Sequence, residues 1–385
     1  MKKRYYFDHN ATTPVKPEVV EAMLPYLTER YGNASSVHHF GREAKNAIEM
    51  SREKIAVGIG AETDEIFFTG CGTESDNIAL AGVLQMAAEN KSGLVTSNVE
   101  HSAILKTAEK LERDGFNVKY IGVDSSCEVD LNALRDAVDE STSLVSIMHA
   151  NNETGVLQNI EKTAEIAHEV GALFHTDAVQ AAGKTPIDVR SMDIDLLSMS
   201  GHKLNAPKGV GVLYIKNGVM VSPLTYGGSH ERGIRPGTEN VAGIVAFAKA
   251  FELALKGMEE DGRKISAMRD RLEKSIGEQI PNILFNGRGA PRLPGTSNIS
   301  IPGVDGEALL FSLDMEGIAA STGSACSSGG VAPSHVLIAM GREPKAAQSS
   351  LRFSMGWGST DEGVDHILNI LPPTVERLRK ISGEL

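Results

Sequence analysis

The chain has 385 residues, 41% of them hydrophobic, enough for a large core and more than one domain. Its formal net charge of -12 repels phosphate backbones and excludes nucleic acid as a main partner, and no run approaches the roughly 18–20 apolar residues of a membrane span. Three cysteines argue against a disulfide framework and for a reducing compartment; MKKRYYFDHN at the start has no apolar stretch of a signal peptide, so a cytoplasmic protein is expected.

VKPEVVEAMLPYLTERYG (15–32) puts Val19, Val20, Met23, Leu24 and Leu27 on one helical face. EIFFTG (65–70) predicts a strand entering a glycine turn, and SDNIALAGVLQMAAEN (75–90) a helix. Short apolar strands follow in GLVTSN, FNVKYIGV, SLVSIMHA, ALFHTDA and IDLLSMS, with helical segments at 102–114, 130–139 and 160–170; GVGVLYIK (209–216) closes the series. Strands alternating with helices predict a mostly parallel sheet covered by helices. A long helix over 240–279 bridges to a smaller α+β unit with strands near 296–301 and 350–355 and helices near 305–315 and 361–381.

Parallel α/β sheets bind ligands beyond the carboxyl ends of their strands, so the loops after strands carry the chemistry. In TGCGTESDN (69–77), Gly70 and Gly72 free the backbone to wrap an anion, Thr73 offers a hydroxyl, and the helix start supplies N–H groups. The stretch is a phosphate cradle or an ordinary capped helix, and Cys71 reads as a packed small residue. His101 in NVEHSAIL ends a strand, where most histidines are structural, and HANNETG (149–155) offers two amides that could simply make a turn. Asp177 in LFHTDAVQAAG follows a buried strand, so it needs a cation or caps a helix, with Gln180 three residues on. In LLSMSGHKLNAPKGVGVLYI, a strand ends in Ser200, His202 and Lys203, and a lysine desolvated there can lose its proton and attack carbonyls. Together, a phosphate cradle, an acid needing a cation and a strand-end lysine are what pyridoxal phosphate requires. STGSACSSGG (321–330) sets Cys326 among small polar residues, as on a flexible, solvent-reachable arm.

With YFDHNATTP, YGNASSVHHFGREA, FFTGCGTESDN, EHSAIL, ANNETG, HTDAVQAAGK, SGHKLNAPKGVG, GGSHERGIRPGTEN, STGSACSSG and LRFSMG in order, the chain resembles the cysteine desulfurases of the NifS/IscS type, a class-V aminotransferase branch of the fold-type I pyridoxal-phosphate enzymes. The resemblance implies a large cofactor-binding domain (14–257) and a small α+β domain (1–13 and 258–385) that carries a mobile cysteine loop at 321–333. It implies Lys203 as the Schiff-base lysine, Asp177 at the pyridine nitrogen, Gln180 at the ring hydroxyl, His101 stacked on the ring and moving protons, and Thr73, Ser200 and His202 on the phosphate. Arg352 would bind the substrate carboxylate, with Asn152 bordering it or the ring. Thr238 would reach the phosphate of a second subunit in a homodimer.

The implied reaction is L-cysteine plus enzyme thiol giving L-alanine and a persulfide on Cys326, a sulfurtransferase activity. The loop after Cys326 resembles the branch that passes sulfur to an iron–sulfur scaffold protein. Ala206, Ala34, Thr322 and Pro236 depart from family usage without removing a reacting group. The alternatives are a selenocysteine lyase or aminotransferase on the same fold, against which the thiol argues, a cofactor-free thiol or persulfide carrier, and a catalytically idle homologue.

Overall fold

The computed structural model describes residues 3–88, 90–322 and 333–383. The first strand, β1 (Tyr5–Tyr6), is followed by helices α1 (Pro17–Met23), α2 (Pro25–Thr28) and α3 (His39–Ile59). The alternation then runs β2 (Ile66–Thr69), α4 (Gly72–Met86), β3 (Gly93–Ser97), α5 (Ser102–Arg113), β4 (Asn117–Ile121), α6 (Leu131–Ala137), β5 (Thr142–Ser146), α7 (Ile160–Glu169), β6 (Leu173–Asp177), β7 (Leu196–Ser200) and β8 (Gly211–Ile215). After α8 (Val241–Gln279) come β9 (Leu284–Asn286), β10 (Thr296–Ser300), α9 (Gly306–Met315), β11 (Ile318–Ala319), α10 (His335–Ala339), α11 (Pro344–Gln348), β12 (Ser350–Ser354) and α12 (Asp361–Ser382).

Seven strands form one sheet in the order β2-β8-β7-β6-β5-β3-β4. β8 is antiparallel to both neighbours, and the other pairs are parallel, so six strands point one way. The central strands are buried along their whole length because helices cover both faces. On one face α3, α7 and the first half of α8 pack through Ile48, Ile55, Ile166, Phe247 and Phe251; on the other, α4 and α5 pack through Leu80, Val83, Ile104 and Leu111. A second core joins Phe7, Ile299, Leu309, Phe353, Ile367 and Leu371 around an antiparallel sheet ordered β12-β10-β9. The 39-residue α8, about 58 Å long at 1.5 Å per residue, serves both cores, with Phe247 and Phe251 in the first and Leu272 and Ile276 in the second.

Two readings of the sequence change. The helix expected over 15–32 is two short helices. Pro25, which has no N–H to donate, starts α2 where α1 ends. Its supposed inner face is mostly outside: Val19 is buried, but Val20, Leu24 and Leu27 are exposed. The 21-residue α3 went unassigned in the sequence, although Ala44, Ala47, Ile48, Ser51, Ile55 and Ile59 recur at helical spacing on its buried side.

Candidate active site

The carboxyl ends of β2, β3, β5, β6 and β7 converge on a cleft of about 530 Å³. Nine of the predicted residues line it: Thr73, His101, Asn152, Asp177, Gln180, Ser200, His202, Lys203 and Arg352. Thr238 does not; it is exposed and borders a separate hollow with Gly70, Arg235 and Gly209. Cys326 lies outside the described residues.

Lys203 ends a tight 3-10 turn (Gly201–Lys203) directly after β7, so the strand fixes where its side chain starts. Its ammonium donates to the Asn10 carbonyl at 2.6 Å and the Ala11 carbonyl at 2.8 Å. Asp177, the last residue of β6, is buried and accepts the Val179 N–H at 2.8 Å. Burial raises its pKa, against the pull of His101, the Val179 N–H and Lys203. Behind it Asp76, also buried, has its pKa raised by desolvation and then by the Asp177 charge; its Oδ1 has no hydrogen-bond partner. Desolvation thus works against charge on both acids of the cleft floor.

His101 caps α5 by accepting the Ala103 N–H on Nδ1 at 3.1 Å. In the neutral ring the proton must then sit on Nε2. Desolvation lowers the His101 pKa, Asp177 raises it, and Lys203 lowers it. His202 lies with Nδ1 3.2 Å from Thr12 Oγ1, its pKa lowered to about 4 by desolvation and the neighbouring lysines.

At the α4 start, Cys71 makes no side-chain cap, and a Cβ on Gly72 would come within 2.6 Å of Val179 Cγ2 and 3.4 Å of Ser200 Cβ. A glycine is thus required where the helix N-terminus meets Ser200 and the cleft. Cys71 is exposed and lines the cleft, which corrects its reading as a packed residue. Cys127 is buried, its thiol pushed up to about 12 by desolvation.

Arg352, on β12, donates to Asp8 Oδ1 at 2.8 Å and to the Asn152 carbonyl at 2.9 Å, while its buried Nε has no partner. Asn10 donates to that same carbonyl at 3.1 Å and to Thr296 Oγ1 at 2.9 Å. Asp8 and Asn10 were missed as site residues, although YFDHNATTP was a motif in plain sight.

A strand-end lysine, a buried carboxyl at the end of the neighbouring strand, and an uncapped helix N-terminus beside Ser200 fit pyridoxal phosphate. The class-V aminotransferase family model matches residues 5–367. The chain belongs to the class-V aminotransferases. Members of that family are pyridoxal-phosphate enzymes. This class-V aminotransferase is 46% identical over 384 residues to a cysteine desulfurase IscS of Clostridium botulinum, covering 99% of this chain and 97% of the relative. Among solved structures, a NifS-like protein superposes with a TM-score of 0.90 at 38% identity, covering 100% of both chains. The protein SspA, solved in complex with cysteine, superposes with a TM-score of 0.82 at 35% identity, covering 92% of this chain and 100% of that one.

Under this site Glu100 is buried, accepting Ser97 Oγ at 2.6 Å and the Met148 N–H at 2.9 Å on one oxygen, with the other unpartnered. Burial pushes its pKa from 4.5 to about 8. The folded state thus keeps a proton that the unfolded chain releases. That stabilisation is complete below pH 4.5 and is lost as pH rises toward 8. Glu100→Gln, neutral throughout, is expected to gain on the parent in urea midpoint as pH rises across this window. Parallel pH profiles for the two proteins would contradict this.

Proposed function

We propose that this class-V aminotransferase is a cysteine desulfurase, converting L-cysteine and an enzyme thiol into L-alanine and an enzyme persulfide. The observation that carries it is the gathering in one cleft of Lys203, Asp177, an uncapped helix N-terminus and Arg352, in a chain 46% identical to a cysteine desulfurase. When bound, pyridoxal phosphate supplies an electron sink at the substrate Cα.

The chain's own groups do the rest. Lys203 would attach the cofactor's aldehyde, and its amine would move the proton at the substrate Cα. Asp177 would face the pyridine nitrogen, whose positive charge would offset the carboxylate's burial. The α4 N-terminus, Thr73, Ser200 and His202 would hold the phosphate. Arg352 binds the substrate carboxylate: Asp8 and the Asn152 carbonyl steady the guanidinium, and its Nε–H is left to donate. His101, with Nδ1 tied to Ala103, offers Nε2–H to a developing thiolate. Cys326 is the proposed sulfur acceptor; Thr322 and Pro333, on either side of the segment that holds it, line the cleft.

The site residues, the 14–257 division with 1–13 and 258–385, a homodimer with Thr238 at the partner's phosphate, delivery to an iron–sulfur scaffold protein and a cytoplasmic location belong to the same proposal. Exposed Val20, Leu24, Leu27 and Tyr31 support the homodimer, and no described helix is long and apolar enough to cross a membrane. The test is direct. Protein purified with pyridoxal phosphate, given L-cysteine and a thiol reductant, is expected to release alanine and sulfide in equal amounts and to scatter light as a dimer. Alanine without sulfide, or no alanine, would defeat the activity; a fully active monomer would defeat the shared site.

A further inference from the structure

The turn after β6 carries a second lysine that faces the same machinery. Backbone hydrogen bonds from Ala182 to Ala178 and from Thr185 to Ala181 coil residues 178–185 into helical turns, which bring Lys184 back beside Gln180. Gly183 makes this possible. It sits at φ +70, and a Cβ there would meet Ala254 Cβ at 2.7 Å. The Lys184 ammonium donates to Gln180 Oε1 at 3.2 Å. The Gln180 amide nitrogen donates to the Asn10 carbonyl at 2.9 Å, the carbonyl that also receives Lys203.

These contacts decide which way round the amide lies. A backbone carbonyl has no donor, so Nε2 must face Asn10, and Oε1 then faces Lys184, which can donate to it whether or not it is charged. One N–H of Gln180 is then left over, and Gln180 lines the cleft. We propose that Lys184 is a positioning residue for the cofactor: it holds and polarises the Gln180 amide so that the site presents a hydrogen-bond donor, never an acceptor, to the oxygen on the cofactor ring. That donor favours the ionised ring oxygen over the hydroxyl. The inference rests on the cofactor reading above.

Lys184 is costly where it stands. Burial, then the Lys203 and Arg352 cations, push its pKa down to about 7. Its one described hydrogen-bond partner is the neutral Gln180 amide. Lys184 is half-buried, and a residue kept there only for its bulk would lose little on replacement by an apolar side chain of similar volume. Lys184→Met is therefore expected to leave the thermal midpoint of the cofactor-free protein unchanged or higher.

The holoenzyme should respond in the opposite sense. Lys184→Met is expected to bind pyridoxal phosphate roughly tenfold more weakly, the loss of one charge-assisted hydrogen bond. The pH midpoint of the bound cofactor's visible absorbance should also move up, because the ionised ring oxygen loses support. Lys184→Arg, which keeps a cationic donor, should restore most of both. In a double-mutant cycle, Lys184→Met should cost little once Gln180→Met is present, because it acts through that amide.

An unchanged cofactor affinity and absorbance midpoint in Lys184→Met would overturn the proposal, as would full additivity with Gln180→Met. A variant too unstable to purify would also overturn it, by showing that Lys184 holds the fold. A parent protein that binds no pyridoxal phosphate would sink the proposal together with the reading beneath it. Normal parent binding with indifferent variants would sink this inference alone.

Discussion

Lys203→Ala is expected to stop turnover, with alanine formation falling by at least about 10²–10⁴-fold, the range of a lost general acid–base group alone. Lys203 is the only lysine among the described residues that line the cleft. Its position is set by β7 and a three-residue turn, and two backbone carbonyls at 2.6 and 2.8 Å aim its ammonium. No other described cleft residue can both attach an aldehyde and move a proton at the carbon beside it. Borohydride treatment of the parent should fix the cofactor to the peptide containing Lys203, and the variant should release it. A variant that makes alanine at more than about a tenth of the parent rate, with no amine added, would remove Lys203 from the mechanism.

Cys326→Ala is expected to divide the reaction in two. Lys203, Asp177 and the α4 N-terminus remain, so cofactor absorbance should be that of the parent. L-cysteine should still perturb it, because Arg352 is untouched. Alanine and sulfide production should fall to background, since no thiolate takes the sulfur. Cys127 is no substitute: it is buried and its thiol pKa is pushed to about 12. Cys71 is the sharper control, because it is exposed and lines the cleft. It stands at the N-terminus of α4, with no side-chain cap bond of its own. Parent-level alanine from Cys326→Ala, lost only on further change of Cys71, would move the sulfur acceptor to the α4 start. Parent-level alanine in the double variant would make the enzyme a simple lyase.

The alternating strands and helices of the large sheet were legible because each strand is a short apolar run closed by a turn, the pattern of a sheet covered on both faces. The predicted bounds of α5, α7, α8 and β12 lie within two residues of those observed. Helix 15–32 failed for a physical reason: apolar periodicity says which residues share a face, but not whether that face finds a partner within the same chain. β1, β9 and β11, of two or three residues, are too short for any period to register and exist only through their pairing.

In the site, Asp177, Ser200 and Lys203 were readable because each directly ends or follows a strand. The contacts of Asp8 and Asn10 were not, because they span 344 and 193 positions that no local pattern announces. Thr238 marks a different limit: within one chain it stands apart from the cleft that its predicted role concerns.

The contacts of residues 7–10 with β12 tie the two cores to each other. Phe7 sits in the second core, the Asp8 carboxylate meets Arg352, and the Asn10 N–H donates to Ser354 Oγ at 2.9 Å. These residues are thus placed by a strand 344 positions further along the chain. The same segment is also tied to the large sheet: the Asn10 carbonyl receives Lys203 and Gln180, and the Thr13 N–H donates to the His202 carbonyl at 2.9 Å. Residues 7–13 therefore act as a strap between the two cores, and loosening the second core would loosen the side of the cleft that Asn10 lines.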